Sequence, residues 1–451
     1  MRSDCGGLRE RRSRARALRL SGIVVLSLLL SLACLDPIPD DTLLPPGMGT
    51  LTGSIRDACD AKILLRGVTV IVSDQTTQTD AQGSFFLKPL AAGLHNMRVA
   101  KADYQTQDKS VQIDSGQTTS IIVDLMPKVT ALPSSPSLDV LFVVDNSGSM
   151  VQEQRALEMA FPAFLHELRV AKVNLRIGII STDMGAGNWG LPSCEVAGGD
   201  GGTLQFKPRD VGCSPPGNAW IAVHGDQDNV ASGTVEDAFS CIASLGINGC
   251  GFEQPLAAIL RALEDPPGVN AGFLRKDASL AVVILSDEDD CSAKDPSLFD
   301  PNHQGLQDPL GPLSSFRCFE FGVRCDVNDR NAEGPRHDCV PASTGGYLLD
   351  VKDVIARLKS FVGPRPLFFS VIAGPTSPLV VAKDGSNPVL SPSCQTSSGF
   401  AVPAIRLNAV AKAFSPRSSF DSICTDDLTP TLRSVAKKII ATALLNACAG
   451  R

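Results

Sequence analysis

Two kinds of apolar periodicity divide the chain. Between Leu51 and Leu125 apolar residues alternate in short runs, at Leu51–Ile55, Val68–Val72, Ser84–Leu87, His95–Val99, Val111–Ile113 and Ser120–Leu125. Ser73-Asp74, Gln82-Gly83, Ala92-Gly93 and Ser115-Gly116 fall between them. A period of two bounded by turn residues predicts half-buried strands, and this spacing predicts a small all-β sandwich over 50–127. After a Pro-containing linker at 128–137 the pattern changes. Continuous apolar runs at Val140–Val144, Leu175–Ser181, Leu280–Ser286 and Leu367–Ala373 predict strands buried on both faces. Helical stretches intervene or follow, at Gln152–Val170, Glu253–Glu264, Val351–Phe361, Pro403–Phe414 and Leu428–Leu445. In the first of these Leu157, Phe161, Phe164, Leu165 and Leu168 share one face, which is a core stripe. Residues 138–448 therefore read as α/β, a doubly wound, mostly parallel sheet with helices on both faces. Two long connections, 184–250 and 288–348, are rich in Gly, Pro and Cys. Connections of that length are functional or disordered, and cysteines favour ordered ones.

The N-terminus has a different character. Seven arginines between Arg2 and Arg19 precede an apolar stretch, Leu20 to Leu32, then Ala33-Cys34. A basic region, a short apolar core and a small residue describe a bacterial-type secretory signal over 1–33. The stretch is short for a membrane span, which takes roughly 20 residues. Leu30-Ser31-Leu32-Ala33-Cys34 resembles a lipobox, which implies lipidation of Cys34 and anchoring in the cell envelope. Leu35 after that cysteine leans towards the outer membrane, and Asp36 leans against it. Pro37, Pro39, Pro45 and Pro46 make 34–49 a semi-extended tether.

The whole chain has 451 residues and a formal net charge of −7. The export segment takes seven of the 41 basic and two of the 48 acidic residues, so the remainder lies near −12. No basic patch or nucleic-acid motif accompanies that charge, so no nucleic-acid partner is expected. Of 14 cysteines, Cys5 lies in the signal and Cys34 is the lipidation candidate. The other twelve in an exported chain read as disulfides. Cys194 with Cys213 and Cys241 with Cys250 are the plausible local pairs, although connectivity cannot be deduced from spacing. The chain lacks a CxxC pair and Cys/His zinc spacing.

Candidate chemistry sits at strand ends. Asp145-Asn146-Ser147-Gly148-Ser149 follows the first continuous apolar strand. One carboxylate and two hydroxyls on a tight turn form a half-shell of hard oxygen ligands suited to a small divalent cation. The second strand ends at Thr182 and Asp183, and the third at Ser286-Asp287-Glu288-Asp289-Asp290. Doubly wound sheets bind ligands at such ends. The pattern assembles a cation site around Asp145, Ser147, Ser149 and Asp287, with Thr182, Asp183 and Glu253 as candidates for the rest of the shell.

Two family resemblances sharpen this. The apolar strand, Asp145-x-Ser147-x-Ser149, the amphipathic helix and the later strand ending Ser286-Asp287 resemble the von Willebrand factor type A family. That family's metal-ion-dependent adhesion site implies Asp145, Ser147, Ser149 and Asp287 as ligands, some through water. It also implies a threonine just before the helix that starts near Glu253, and Ile247 to Glu253 contains none. Glu253 either substitutes as an oxygen ligand or opens its helix at the positive end of the dipole. Glu288, Asp289 and Asp290 are either further ligands or a solvated acidic loop. Thr79-Asp80-Ala81-Gln82-Gly83-Ser84-Phe85, with Gly53, Gly93 and Asp103-Tyr104, resembles the carboxypeptidase regulatory-like family. That second resemblance implies a spacer without catalysis, in which Asp80 forms a turn.

Together the resemblances imply a bacterial cell-surface lipoprotein that binds a protein or glycan partner through a divalent cation. Mg²⁺ fits first, because it keeps waters that a partner carboxylate can replace, with Ca²⁺ or Mn²⁺ as alternatives. Binding rather than catalysis is expected. The five histidines, His95, His166, His224, His303 and His337, include no HExxH, and neither Ser147 nor Ser149 lies in G-x-S-x-G. A metal-dependent hydrolase and a structural envelope protein with a vestigial site are the competing readings.

Overall fold

A computed structural model describes residues 44–448 apart from 129–134, 210–212, 265, 267, 303, 344, 345 and 398. The expected signal, Cys34, most of the tether, most of the 128–137 linker and His303 lie outside the described residues.

The alternating runs form a two-sheet β domain. Its strands are β1 (Met48–Asp57), β2 (Thr69–Val72), β3 (Gln75–Gln78), β4 (Ser84–Ala91), β5 (Gly93–Ala100), β6 (Gln107–Ile113) and β7 (Thr118–Leu125). One sheet has the order β4-β1-β7 and the other β3-β2-β5-β6. Inward residues such as Leu51, Ile55, Val70, Val99, Ile113 and Val123 pack into a single core between the sheets. β1 lies antiparallel to β4 and parallel to β7, in register from Thr50 opposite Thr118 to Asp57 opposite Leu125. β3 has no counterpart among the expected strands. Its sequence Gln75-Thr76-Thr77-Gln78 offers no apolar face, and it forms by pairing with β2 at a sheet edge.

The second domain runs through β8 (Ser137–Val144), α1 (Val151–Val170), β9 (Asn174–Ser181), β10 (Ile221–His224), β11 (Gln227–Asp228), α2 (Val235–Ala243), α3 (Pro255–Glu264) and β12 (Ser279–Leu285). It continues with α4 (Phe316–Gly322), β13 (Val323–Arg324), β14 (Gly334–Pro335), β15 (Val340–Pro341), α5 (Val351–Val362) and β16 (Leu367–Ala373). The last elements are β17 (Val380–Asp384), β18 (Asn387–Leu390), β19 (Cys394–Gln395), β20 (Phe400–Ala401), α6 (Ile405–Ala413), β21 (Ser418–Ser422) and α7 (Thr429–Cys448). The main sheet has the order β11-β10-β9-β8-β12-β16-β21. From β9 to β21 all neighbours are parallel, whereas β10 and β11 add an antiparallel edge.

The sheet is covered on both faces because its central strands are apolar on both. One core gathers α1, α2 and α7, where Phe142 meets Phe164 and Phe239 edge-on at 5.4 and 5.2 Å. The expected stripe Leu157, Phe161, Phe164, Leu165 and Leu168 lies wholly in it. The opposite core gathers α3, α5 and α6 around Leu141, Val143, Val282 and Phe369.

The long connections differ from their expected lack of regular structure. The first contains β10, β11 and α2, and α2 opens on a capping box in which Thr234 and Asp237 bond each other's backbone N–H. The second contains α4 and the short pair β13–β15, while its β14 pairs with β17 beyond it. The two connections share a small core of their own, with Leu191, Phe252, Leu298, Phe299 and Leu348. The expected local disulfides are not formed. Cys194 bonds Cys250 and Cys213 bonds Cys241, so the first crosslink spans nearly the whole connection and the second ties its middle to α2. Spacing misleads here because the fold carries the connection back to the sheet before its cysteines meet. Cys291–Cys318, Cys325–Cys339 and Cys394–Cys424 are also bonded.

Candidate metal-binding site

Consecutive strands leave β8 in opposite directions across the sheet, β9 to one side and β12 to the other. The carboxyl ends of β8 and β12 therefore sit side by side at the reversal of strand order, where open α/β sheets form a crevice. The Asp145 N–H donates to Leu285 O at 3.0 Å, which locks the two exits together.

Asp145 is fully buried. Its Oδ1 accepts from the Ser147 N–H at 2.8 Å and its Oδ2 from Ser286 Oγ at 2.7 Å. Ser147 Oγ lies 3.3 Å from Ser149 Oγ, and Ser149 sits on the exposed rim. Gln154, from the first turn of α1, donates to Asp145 O at 2.8 Å and Gly246 O at 2.9 Å. The turn also receives the Gly249 N–H on Asn146 O at 2.8 Å. A Cβ on Gly249 would collide with the Asn146 side-chain amide, so a larger residue there requires that buried side chain to shift.

Asp287 faces the turn across the crevice. Its Oδ1 is buried without a partner, and the Ser149 hydroxyl lies close enough to lower the carboxyl. Burial, then the negative charges of Asp145 and Glu288, push the Asp287 carboxyl up to about 8. Glu288 is pushed up to about 7, first by desolvation and then by Asp145, while Glu253 and Ser315 beside it pull the other way. Glu253 is buried and raised well above the usual carboxylate range by desolvation, then by Glu288 and Asp145. Asp145 itself is raised by desolvation. Four carboxylates thus crowd one crevice with no arginine or lysine among the causes of their shifts.

Thr182 enters from the end of β9. Its hydroxyl is buried close enough to Asp145 to lower that carboxyl, yet it makes no hydrogen bond that meets normal geometry. Asp183 turns away from the crevice. Its Oδ1 caps the Gly185 N–H at 2.8 Å, and its charged neighbours are Asp200 and Arg209. Asp289 and Asp290 are not a solvated run, and both bond to the start of α6. Asp289 accepts the Arg406 and Leu407 N–H groups at the start of α6, at 2.9 and 3.1 Å. Asp290 is buried in an ion pair with Arg406 at 2.9 Å.

Gln154 and Gln254 were not anticipated as site residues. Gln254 donates from its backbone to Thr182 O at 3.0 Å and from its side chain to Gly185 O at 2.8 Å, and accepts the Ala293 N–H at 3.0 Å. It staples both connections to the site. Gln154 stands three residues before Leu157, on the buried stripe of α1, and a polar residue there was the available signal.

The donors are hard oxygens, and two buried ones, Thr182 Oγ1 and Asp287 Oδ1, lack partners. Such a set fits a divalent cation. Among the described residues no three carboxylates, imidazoles or thiols close around a single point, so any shell must draw on the hydroxyls.

Residues 50–126 are similar to the carboxypeptidase regulatory-like domain. In this regulatory-like domain Asp80 is a turn former, accepting the Gln82 and Ser84 N–H groups at 2.9 and 2.8 Å. Gly83 has φ +66°, and a Cβ there would lie 2.7 Å from Ile55 O. No curated protein matches the chain. Among solved structures, the Bacillus anthracis TIE protein is 19% identical over 22% of this chain and 19% of that one, with a TM-score of 0.17. A point mutant of the PilB minor pilin from Streptococcus sanguinis is 12% identical over 87% of this chain and 93% of that one, TM-score 0.32. BatB from Bacteroides thetaiotaomicron is 10% identical over 68% and 98%, TM-score 0.29. Scores of this size carry no inference of shared fold or activity.

Proposed function

We propose that residues 138–448 form a von Willebrand factor type A-like domain that holds a divalent cation at Asp145, Ser147, Ser149 and Asp287. Thr182 and Glu253 supply oxygens where that family's middle-loop threonine is missing. The cation offers an open position at the Ser149 rim to an acidic side chain of a protein partner, or to glycan oxygens. The chain acts outside the cytoplasm, as a lipoprotein on the cell envelope that binds rather than catalyses.

The observation that carries this reading is a pair of unsatisfied buried oxygens, Thr182 Oγ1 and Asp287 Oδ1, in a crevice crowded with carboxylates. Buried polar atoms without partners are rare in native proteins, and an absent ion is one physical reason for them. Disulfides support an oxidising compartment. Among the described residues no helix is long and apolar enough to cross a membrane.

The test needs no partner. Chelator-treated protein should melt several degrees higher after addition of Mg²⁺, Ca²⁺ or Mn²⁺, by about 2.7 kcal/mol at a hundredfold excess over Kd. Asp145→Ala should remove the rise. A melting curve indifferent to all three ions rejects the site.

A further inference from the structure

A cavity of about 370 Å³ opens between α6, the segment that follows β16 and the turn from β14 into β15, and it shares no residue with the crevice. Its floor is apolar. Leu379 and Ile405 belong to a small core bordered by the Cys325–Cys339 crosslink. Its wall is tied down by backbone bonds. The Arg336 N–H donates to Leu379 O at 2.9 Å. His337 is held to Asp326 through its carbonyl at 3.0 Å and its N–H at 2.8 Å.

Arg336 lines this cavity and is only 5% exposed. Its Nη1 donates to Gly334 O at 2.9 Å and its Nη2 to Asp329 O at 3.1 Å and to Ala332 O, while Nε is buried without a partner. All of these acceptors are neutral carbonyls. Among the described residues no carboxylate forms an ion pair with it, and the exposed Asp329 carboxylate instead takes the Asn331 N–H at 2.9 Å. A buried cation without a counter-charge is costly, and its field in a low-dielectric wall draws an anion into the space beside it. Asn408 and Lys412, one turn apart on α6, bring an amide and an ammonium to the same cavity. Lys412 is exposed and joins no ion pair among the described residues. Asp338 is the opposing carboxylate in the lining. Leaving His337 aside, two fixed positive charges face one negative, an excess that suits a monoanion better than a dianion. We propose that this cavity binds a carboxylate joined to an apolar group, with the acid at Lys412 and Asn408 and the apolar group over Leu379 and Ile405. The proposal is independent of the cation reading above.

Calorimetric titration of the full chain tests it with isocaproate, with acetyl-glycyl-leucine, with the same dipeptide amidated at its C-terminus, and with inorganic phosphate. At least one of the two acids should bind with a Kd below about 1 mM. The amide should bind at least about tenfold more weakly than its acid, because it loses a charge-assisted bond. Lys412→Gln should weaken the acids about tenfold. It should leave the melting temperature unchanged, since the side chain is exposed. Tighter binding of acetyl-glycyl-leucine supports the site with a polypeptide C-terminus as the source of the carboxylate. Tighter binding of isocaproate supports it with a small branched acid. Acid and amide binding alike overturn the proposal, as does acid affinity that survives Lys412→Gln. Phosphate that displaces the acids at equal concentration overturns it too, and so does the absence of saturable binding by either acid.

Discussion

At the scale of single residues, the crevice stores electrostatic repulsion that bound protons or a bound cation relieve. Asp287 and Glu288 are held at about 8 and about 7, far above an unfolded carboxylate. The folded state therefore binds more protons than the unfolded state between about pH 4 and pH 8, and stability falls as pH rises through that window. Urea midpoints of cation-free protein should decline steadily from pH 5 to pH 8. Added cation should flatten the decline, because it replaces the protons. Thr182→Val separates the hydroxyl's roles. An isosteric methyl in place of an unpaired buried hydroxyl should leave the cation-free stability unchanged within about 1 kcal/mol, or raise it. The same substitution should shrink the cation-induced rise in melting temperature. The contiguous part of the site, Asp145 to Ser149, was legible because a short motif follows an apolar strand. Gln154 and Gln254 were not, since their partners lie 92 and 69 residues away.

Among elements, apolar pattern located what is buried and missed what is not. β8, β9, β12 and β16 and five helices follow from hydrophobic runs. β3 and β21 do not: Gln75-Thr76-Thr77-Gln78 and Ser418-Ser419-Phe420-Asp421-Ser422 are edge strands whose order comes from ladder partners. The acidic run after β12 shows the same limit. Sequence presents four consecutive carboxylates as one feature, and the fold divides them between two tasks. Asp287 and Glu288 face the crevice, while Asp289 and Asp290 tether α6. Arg406→Leu strands Asp290 in a dry interior, and losing one partner of a buried pair costs about 3–5 kcal/mol. Equilibrium urea unfolding at neutral pH measures it. A loss below about 1 kcal/mol would mean that Asp290 finds solvent.

Over the whole molecule, the described residues form a two-sheet β domain and an α/β domain that carries the crevice. Its two connections are crosslinked and share a core, so they behave as one cap beside the site rather than as separate loops. Removing the Cys194–Cys250 crosslink by paired alanines should cost about 2–4 kcal/mol and weaken cation binding through Glu253. A variant that loses stability and keeps its cation affinity would detach the cap from the site.

The parallel pairing of β1 with β7 bears on how the chain carries load. The domain is entered at the start of one strand and left at the far end of its neighbour, so tension drawn through residues 48–125 pulls the two strands past each other. All eight residue pairs from Thr50 opposite Thr118 to Asp57 opposite Leu125 are loaded together. A hairpin pulled at its open end unzips one bond at a time. This arrangement resists in shear over about 26 Å of ladder. Tension applied along residues 48–125 would therefore meet the whole β1–β7 ladder at once.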